Sequence, residues 1–147
     1  MPEFYPPVGF YFSVSFLGMS AIDAAFHEIS GISASVNTEE YEASGEGGTK
    51  YRLPTGITYS KLVLKRGLVP FNSQIGTWCM SIVEGFRDKI QPKDIQVSLL
   101  NANGDPLLTW AFYNAWPTKW ELSGFNAEGN SILMETIELD YSRFERV

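Results

Sequence analysis

Tyr59-Ser-Lys-Leu-Val-Leu-Lys-Arg-Gly67 is the stretch on which the fold turns. Tyr59, Lys61, Val63 and Lys65 fall on one face and Leu62 and Leu64 on the other. That period of two predicts a half-buried strand over Ile57 to Lys65. The next segment changes period. Ile75, Trp78, Cys79, Ile82, Val83 and Phe86 recur at spacings of three and four, which predicts one helix over about 73–88 with a single apolar stripe. Asn72 or Ser73 is placed to cap its start, and Pro92 marks its stop. Upstream, Thr38 to Gly56 is polar and glycine-rich. A strand, one helix and more strands, with one long insertion, read as a barrel built for assembly rather than for chemistry.

Working outward, Gly9 to Leu17 alternates, with Phe10, Phe12, Val14 and Phe16 on one face and Tyr11, Ser13 and Ser15 on the other. Met1 to Pro7 carries three prolines and reads as an extended arm, and Gly18 to Ala24 as a turn. Phe26 to Tyr41 alternates again, and Gly31 in its middle predicts a bulge or sharp bend, a device that curves a barrel wall. Past the helix, Ile95, Val97 and Leu99 form the inward face of a strand. Asn101-Ala-Asn-Gly-Asp-Pro106 predicts a hairpin turn, because Asn and Gly accept positive φ at low cost. Leu107 to Leu122 returns as a long strand carrying Trp110, Phe112, Trp116 and Trp120, with Pro117 marking an edge or a kink. Asn126 to Asn130 is a polar turn. Ile132 to Phe144 closes the sheet with Leu133, Glu135, Ile137, Leu139 and Tyr141 on one face. About six or seven strands and one helix covering an end predict a mainly β fold: a closed or nearly closed antiparallel barrel in a single domain, 1–147.

Composition narrows the function. The chain has 147 residues, enough for a real core, and 44% hydrophobic against 19% charged residues makes it globular. Aromatics at 14% suit strands and interfaces. A net charge of −6 argues against nucleic-acid binding, which needs clustered Lys and Arg. The basic group Lys61, Lys65 and Arg66 is too small to reverse this. The one cysteine, Cys79, excludes an intramolecular disulfide and, between Trp78 and Met80, reads as a small buried residue. No basic region leads into a long apolar run at the N-terminus, and no segment reaches the ~20 apolar residues that span a bilayer. The expectation is synthesis as a soluble cytoplasmic protein.

No constellation for catalysis or cofactor binding emerges. His27 is the single histidine, placed in a predicted strand, and reads as structural or surface. One His and one Cys do not make a zinc site. Glu39, Glu40 and Glu42 lack the spacing of a calcium loop and read as a solvated acidic face. Gly45-Glu-Gly-Gly-Thr-Lys50 has the wrong order for a phosphate loop, and no helix opens after it. Its glycines instead supply flexibility to the tip of an extended hairpin arm whose far side, Lys50-Tyr-Arg-Leu-Pro54, regains bulky residues.

Four blocks carry a family resemblance: Tyr5-Pro-Pro-Val-Gly-Phe-Tyr-Phe, Glu28-Ile-Ser-Gly-Ile32, Leu62-Val-Leu-Lys-Arg-Gly67, and Leu108-Thr-Trp with Asn114-Ala-Trp-Pro-Thr-Lys-Trp. As an ordered set running from about Tyr5 to Phe144, they resemble the tail tube proteins of contractile phages and of phage-tail-like injection systems. Within that family the chain looks most similar to the inner-tube proteins of extracellular contractile injection systems, including the tube-initiator type above the spike. The resemblance implies a non-enzymatic subunit of hexameric rings that stack into a hollow tube. Its partners would be further rings, a spike or hub protein and a surrounding sheath, in a particle that leaves the cell. It also implies that Glu39 to Gly56 corresponds to the long inter-ring loop. The inter-subunit contacts so expected are Glu40, Glu42, Gly45, Gly47, Gly48, Lys50, Tyr51, Arg52, Leu53, Lys65, Arg66 and Trp116, with neither cofactor nor metal. Repeating tube and initiator ring both remain open. Two other readings stand beside this one. The first is a small-ligand-binding barrel with Trp110, Trp116 and Trp120 lining a pocket. The second is an enzyme using His27 or the acidic loop.

Overall fold

Alternating apolar residues and one helical stripe build ten strands and one helix among the described residues, which are 10–17, 24–42, 48–67, 74–85, 91–124 and 133–147 of a computed structural model. In chain order they are β1 (Tyr11–Phe16), β2 (Ala24–Phe26), β3 (Glu28–Ser30), β4 (Ala34–Glu42), β5 (Lys50–Tyr59), β6 (Leu62–Gly67), α1 (Gln74–Glu84), β7 (Lys93–Leu100), β8 (Pro106–Ser123), β9 (Met134–Asp140) and β10 (Arg143–Arg146).

Eight strands form one antiparallel sheet in the order β2-β1-β7-β8-β9-β6-β3, with β10 also on β8. The two ends of that order, β2 and β3, are separated in the chain by His27 alone. The His27 amide donates to the Lys65 carbonyl at 3.0 Å, so residues 24–30 pass from β1 to β6 and curl the sheet into a nearly closed barrel. β8, 18 residues long, serves both halves: it pairs β7 up to Ala115 and β9 from Trp116. β10 continues along β8 in the register of β9, since Asp140 faces Trp116 and Arg143 faces Tyr113. The change of partner falls where the ladder is irregular. Asn114 has φ 55, its amide takes Asp94 Oδ1 at 2.9 Å, and the register shifts between Pro117 and Lys119. Proline without an N–H and asparagine at positive φ are the residues such a break requires.

More strands exist than the sequence predicts because three continuous segments break. Ile57 to Lys65 splits at Ser60 and Lys61, the closing segment at Tyr141 and Ser142, and Phe26 to Tyr41 at His27 and again at Gly31 to Ser33. Gly31 sits at φ 90, and a Cβ there would lie 1.8 Å from the Lys61 carbonyl oxygen, so a close crossing of backbones fixes glycine at this bend.

The barrel interior is filled by Val14, Phe26, Leu62, Leu64, Ile95, Val97, Phe112, Ile137 and Leu139, all at most 1% exposed. Burying side chains of this kind is worth roughly 1.5–3 kcal/mol each, so stability resides here. Helix α1 lays Ile75, Trp78 and Cys79 onto the same core. Three expectations of facing are corrected. Val83 is 53% exposed although the helical period includes it, and Phe10, just outside β1, is 59% exposed. On β7, Ser98 and Leu100 are buried while Leu99 is half-buried, because both sides of this central strand are covered. The expected caps Asn72 and Ser73, together with Phe86, the arm 1–7, most of the turn at 18–24 and the turn at 126–130, lie outside the described residues.

The turn at Asn101 forms as expected. Asn101 Oδ1 accepts from the amides of Asn103 and Asp105 at 2.9 and 3.0 Å, and Gly104 takes φ 86.

Candidate functional site

Strands β4 and β5 pair only with each other and form a separate two-stranded sheet. Every residue of β4 is exposed, and so is every residue of β5 except Tyr59 at its base. The segment read from sequence as an extended hairpin arm is a strand pair standing off the barrel, and its pairing runs from Ala34–Tyr59 to Glu42–Lys50. Its residues 43–47, which include Gly45 and Gly47, lie outside the described residues.

The arm forms because its sequence has strand chemistry beneath the charges. Val36 faces Ile57, Tyr41 faces Tyr51, Glu39 faces Leu53, Glu40 faces Arg52 and Glu42 faces Lys50. Cross-strand aromatic, β-branched and opposite-charge pairs each stabilise a hairpin by roughly 0.2–1 kcal/mol. The Tyr41 and Tyr51 rings lie 6.5 Å apart, Lys50 Nζ is 3.7 Å from Glu40 Oε1, and Asn37 Nδ2 donates to Thr58 Oγ1 at 2.8 Å. A register shift at Asn37/Thr38 places Thr55 as an extra residue on β5.

Alternation gives the arm two unlike faces. One carries Val36 and Ile57 near the barrel and then the charged pairs Glu40–Arg52 and Glu42–Lys50 towards the tip. The other carries Ser35, Thr58 and Asn37 near the barrel and then Glu39, Leu53, Tyr41 and Tyr51. The apolar side chains remain open to solvent: Val36 is 61% exposed, Ile57 55%, Tyr41 51%, Leu53 49% and Tyr51 48%. Scattered exposed apolar residues are ordinary, but these five stand together on one unsupported hairpin.

The base of the arm is held firmly. Tyr59 packs against Tyr141 and Phe144 with ring centroids 5.8 and 5.3 Å away, and Tyr141 also meets Phe112 edge-on at 4.9 Å. The Tyr141 hydroxyl donates to the Ser60 carbonyl at 2.5 Å, and the Ser60 amide donates to the Ser33 carbonyl at 3.2 Å. Burial pushes the Tyr141 phenol up to about 12, with Asp140 adding to the shift, so this donor stays protonated at ordinary pH.

The expected contact residues divide. Glu40, Glu42, Lys50, Tyr51, Arg52 and Leu53 stand exposed on the arm, and Gly48 takes φ 86 at the start of its returning limb. Lys65 lies on the outer side of β6, 3.8 Å from Glu28. Trp116 is half-buried on β8 and packs against the barrel core. Arg66 differs from the expectation outright. It is 3% exposed and points inward, in step with Leu62 and Leu64, its Nε 2.7 Å from Glu135 Oε1. Glu135 Oε2 also accepts from Trp120 Nε1 at 2.7 Å, and the guanidinium lies 4.7 Å over the Phe26 ring. Val36, Tyr41 and Ile57, outside the expected contact set, are exposed on the arm beside members of that set. Their alternation with polar neighbours was visible, but glutamates and glycines dominated the segment.

The residues of the other readings are placed apart. Trp110, Trp116 and Trp120 all pack against the filled core. His27 is exposed. Cys79 is fully buried, and desolvation, then the Glu135 charge, push its thiol up to about 12. Among the described residues no group of three or more His, Cys, Asp or Glu is placed to hold a metal ion, and no helix is long and apolar enough to cross a membrane.

No curated protein sequence matches the chain. Solved structures do. A chain of the anti-feeding prophage (AFP) baseplate, from a 6-fold symmetrised cryo-EM structure, is 25% identical with a TM-score of 0.74, over 95% of this chain and 92% of that one. A chain of the sheath–tube complex of PVC, an extracellular contractile injection system, in its extended state is 26% identical with a TM-score of 0.74, over 95% and 88%. Hcp1 from Flavobacterium johnsoniae, 14% identical with a TM-score of 0.51 over 92% and 94%, shares the fold. The model of the T4-like virus tail tube protein gp19 family matches residues 8–145, and the chain belongs to that family.

Proposed function

We propose that the chain is a structural, non-catalytic subunit of the inner tube of a contractile injection particle, assembling as hexameric rings that stack into a hollow tube. The observation that carries this reading is the β4–β5 arm: an anchored hairpin with apolar residues open on both faces and no cover from its own barrel. Such a surface is stable in water only at a cost, and a neighbouring subunit removes it. The kinship to chains found in the AFP baseplate and the PVC sheath–tube complex supports placing it within a spike-to-sheath assembly, either as the repeating tube or as the initiator ring beside the spike. On this reading a sheath protein surrounds the tube and a spike or hub protein closes it, and assembly in the cytoplasm precedes release of the particle.

Negative-stain electron microscopy of the purified protein, with its solution mass measured alongside, tests this. Sixfold rings or stacked tubes are expected. A protein that stays monomeric at every concentration, and that neither a spike nor a sheath component recruits into particles, overturns the proposal.

A further inference from the structure

We infer that the surface receiving the arm is the groove between α1 and the start of β7 on a second copy of this chain, with Glu39 of the arm paired to Lys93 of the groove. This rests on the tube-subunit reading and names the partner of the arm.

The groove has a volume of about 380 Å³ and is lined by residues of three elements and the segment before β7. Phe16 and Trp78 form its apolar floor, their rings edge-on with centroids 5.6 Å apart. Trp78 is fixed from beneath, its Nε1 donating to the Gln91 carbonyl at 3.1 Å. Gln74, Thr77 and Ser81 provide a polar rim. Lys93 stands at the edge with its Nζ 5.5 Å over the Phe16 ring and no ion pair among the described residues.

The tip half of one arm face matches that chemistry. It presents Tyr41, Tyr51 and Leu53, each about half exposed, beside Glu39. Glu39 likewise has no ion pair among the described residues, whereas its neighbour Glu40 is held by Lys50. An aromatic-floored groove with one unpaired cation thus faces an aromatic surface with one unpaired anion. Rigid aromatic anchors in a pocket with a charge at the rim are the usual form of an interface hot spot. On the opposite arm face the apolar residues, Val36 and Ile57, are aliphatic and lie near the barrel, and Glu40 is already held by Lys50. No described residue of 34–59 lines the groove of the same chain. Arm and groove are different surfaces, so the contact is heterologous and propagates from copy to copy.

The test uses the full chain. Copies carrying Leu53→Cys are mixed with copies carrying Thr77→Cys and oxidised; buried Cys79 contributes no background. A covalent dimer forming only in the mixture is expected, and its absence from particles that otherwise assemble overturns the inference. As a second variant set, Glu39→Lys and Lys93→Glu are each expected to reduce the assembled fraction about tenfold or more, and the double reversal to restore it. Normal assembly by Lys93→Glu sinks the groove as receptor while leaving the tube-subunit reading intact. Failure of the unaltered protein to form any particle is instead the outcome that removes the tube-subunit reading itself.

Discussion

A guanidinium enclosed in a β-barrel must be paired, and Arg66 is paired twice over, by the Glu135 carboxylate and by the face of Phe26. Its partner is a direct cross-strand neighbour, β6 to β9. Removing one member of such a pair leaves a buried charge, which costs about 3–5 kcal/mol, whereas replacing both with apolar residues of similar size is often neutral. Glu135→Ala is therefore expected to shift the urea midpoint sharply downwards, and Arg66→Met with Glu135→Leu to recover most of the loss. A small effect of Glu135→Ala alone would mean that the pair adds little. The inward direction was legible: residue 66 keeps step with Leu62 and Leu64, and Glu135 with Ile137 and Leu139. The basic character of Lys65-Arg66 hid it, since charge suggests surface until a partner is in view. Tyr141 offers a test by pH. Its phenol rises from 10.0 to about 12 on folding, and the Cys79 thiol from 9.0 to about 12. Both raised values favour the protonated, folded state. Their contribution is complete below the lower values and is lost as pH climbs from about 9 to 12. The melting temperature should fall across that window. Tyr141→Phe should lie lower at neutral pH by the worth of the lost hydrogen bond to Ser60, about 1 kcal/mol, yet decline less steeply. Parallel curves for the two proteins would exclude Tyr141 as a source of the slope.

At the scale of elements, the strands of the barrel were readable and the arm was only half so. Periods of two and of three to four residues located β1, β6, α1, β7, β8 and β9, because each buries one face and pattern follows burial. The arm buries neither face, so no contrast of inside and outside marks it. What remains is cross-strand pairing, which depends on a register that a single chain segment does not display. Its apolar members became evident only once Tyr41 stood opposite Tyr51 and Val36 opposite Ile57. Because these side chains are open to solvent, replacing them should spare the fold. Tyr41→Ser, Tyr51→Ser and Leu53→Ser are each expected to change unfolding free energy by no more than about 0.5–1 kcal/mol, while suppressing assembly measured by light scattering. A variant that unfolds readily would show that the arm supports the barrel. One that assembles normally would remove its residue from the contact surface.

Over the whole molecule, the barrel holds the buried core and the arm stands outside it with its apolar residues exposed. Closure of the barrel was expected from strand count, but its means were not legible. The same short segment, residues 24–30, serves both ends of the sheet, pairing with β1 through Ala24–Phe26 and with β6 through Glu28–Ser30, partners distant in sequence. The buried core draws on no described residue of 34–58; Tyr59 is the described arm residue packed against it. A barrel stable by itself should therefore survive loss of the arm. Ser35 and Thr58 face each other across the hairpin base, so replacing residues 36–57 with an Asn-Gly turn closes the gap without strain. A shorter loop also lowers the closure entropy slightly. The shortened protein is expected to unfold in one cooperative transition, at a midpoint close to that of the full chain, and to remain monomeric where the full chain assembles. Loss of the cooperative transition would make the arm part of the folding unit. Retained assembly would move the intersubunit contact onto the barrel wall, where Lys65 and Glu28 are the charged pair next to be reversed.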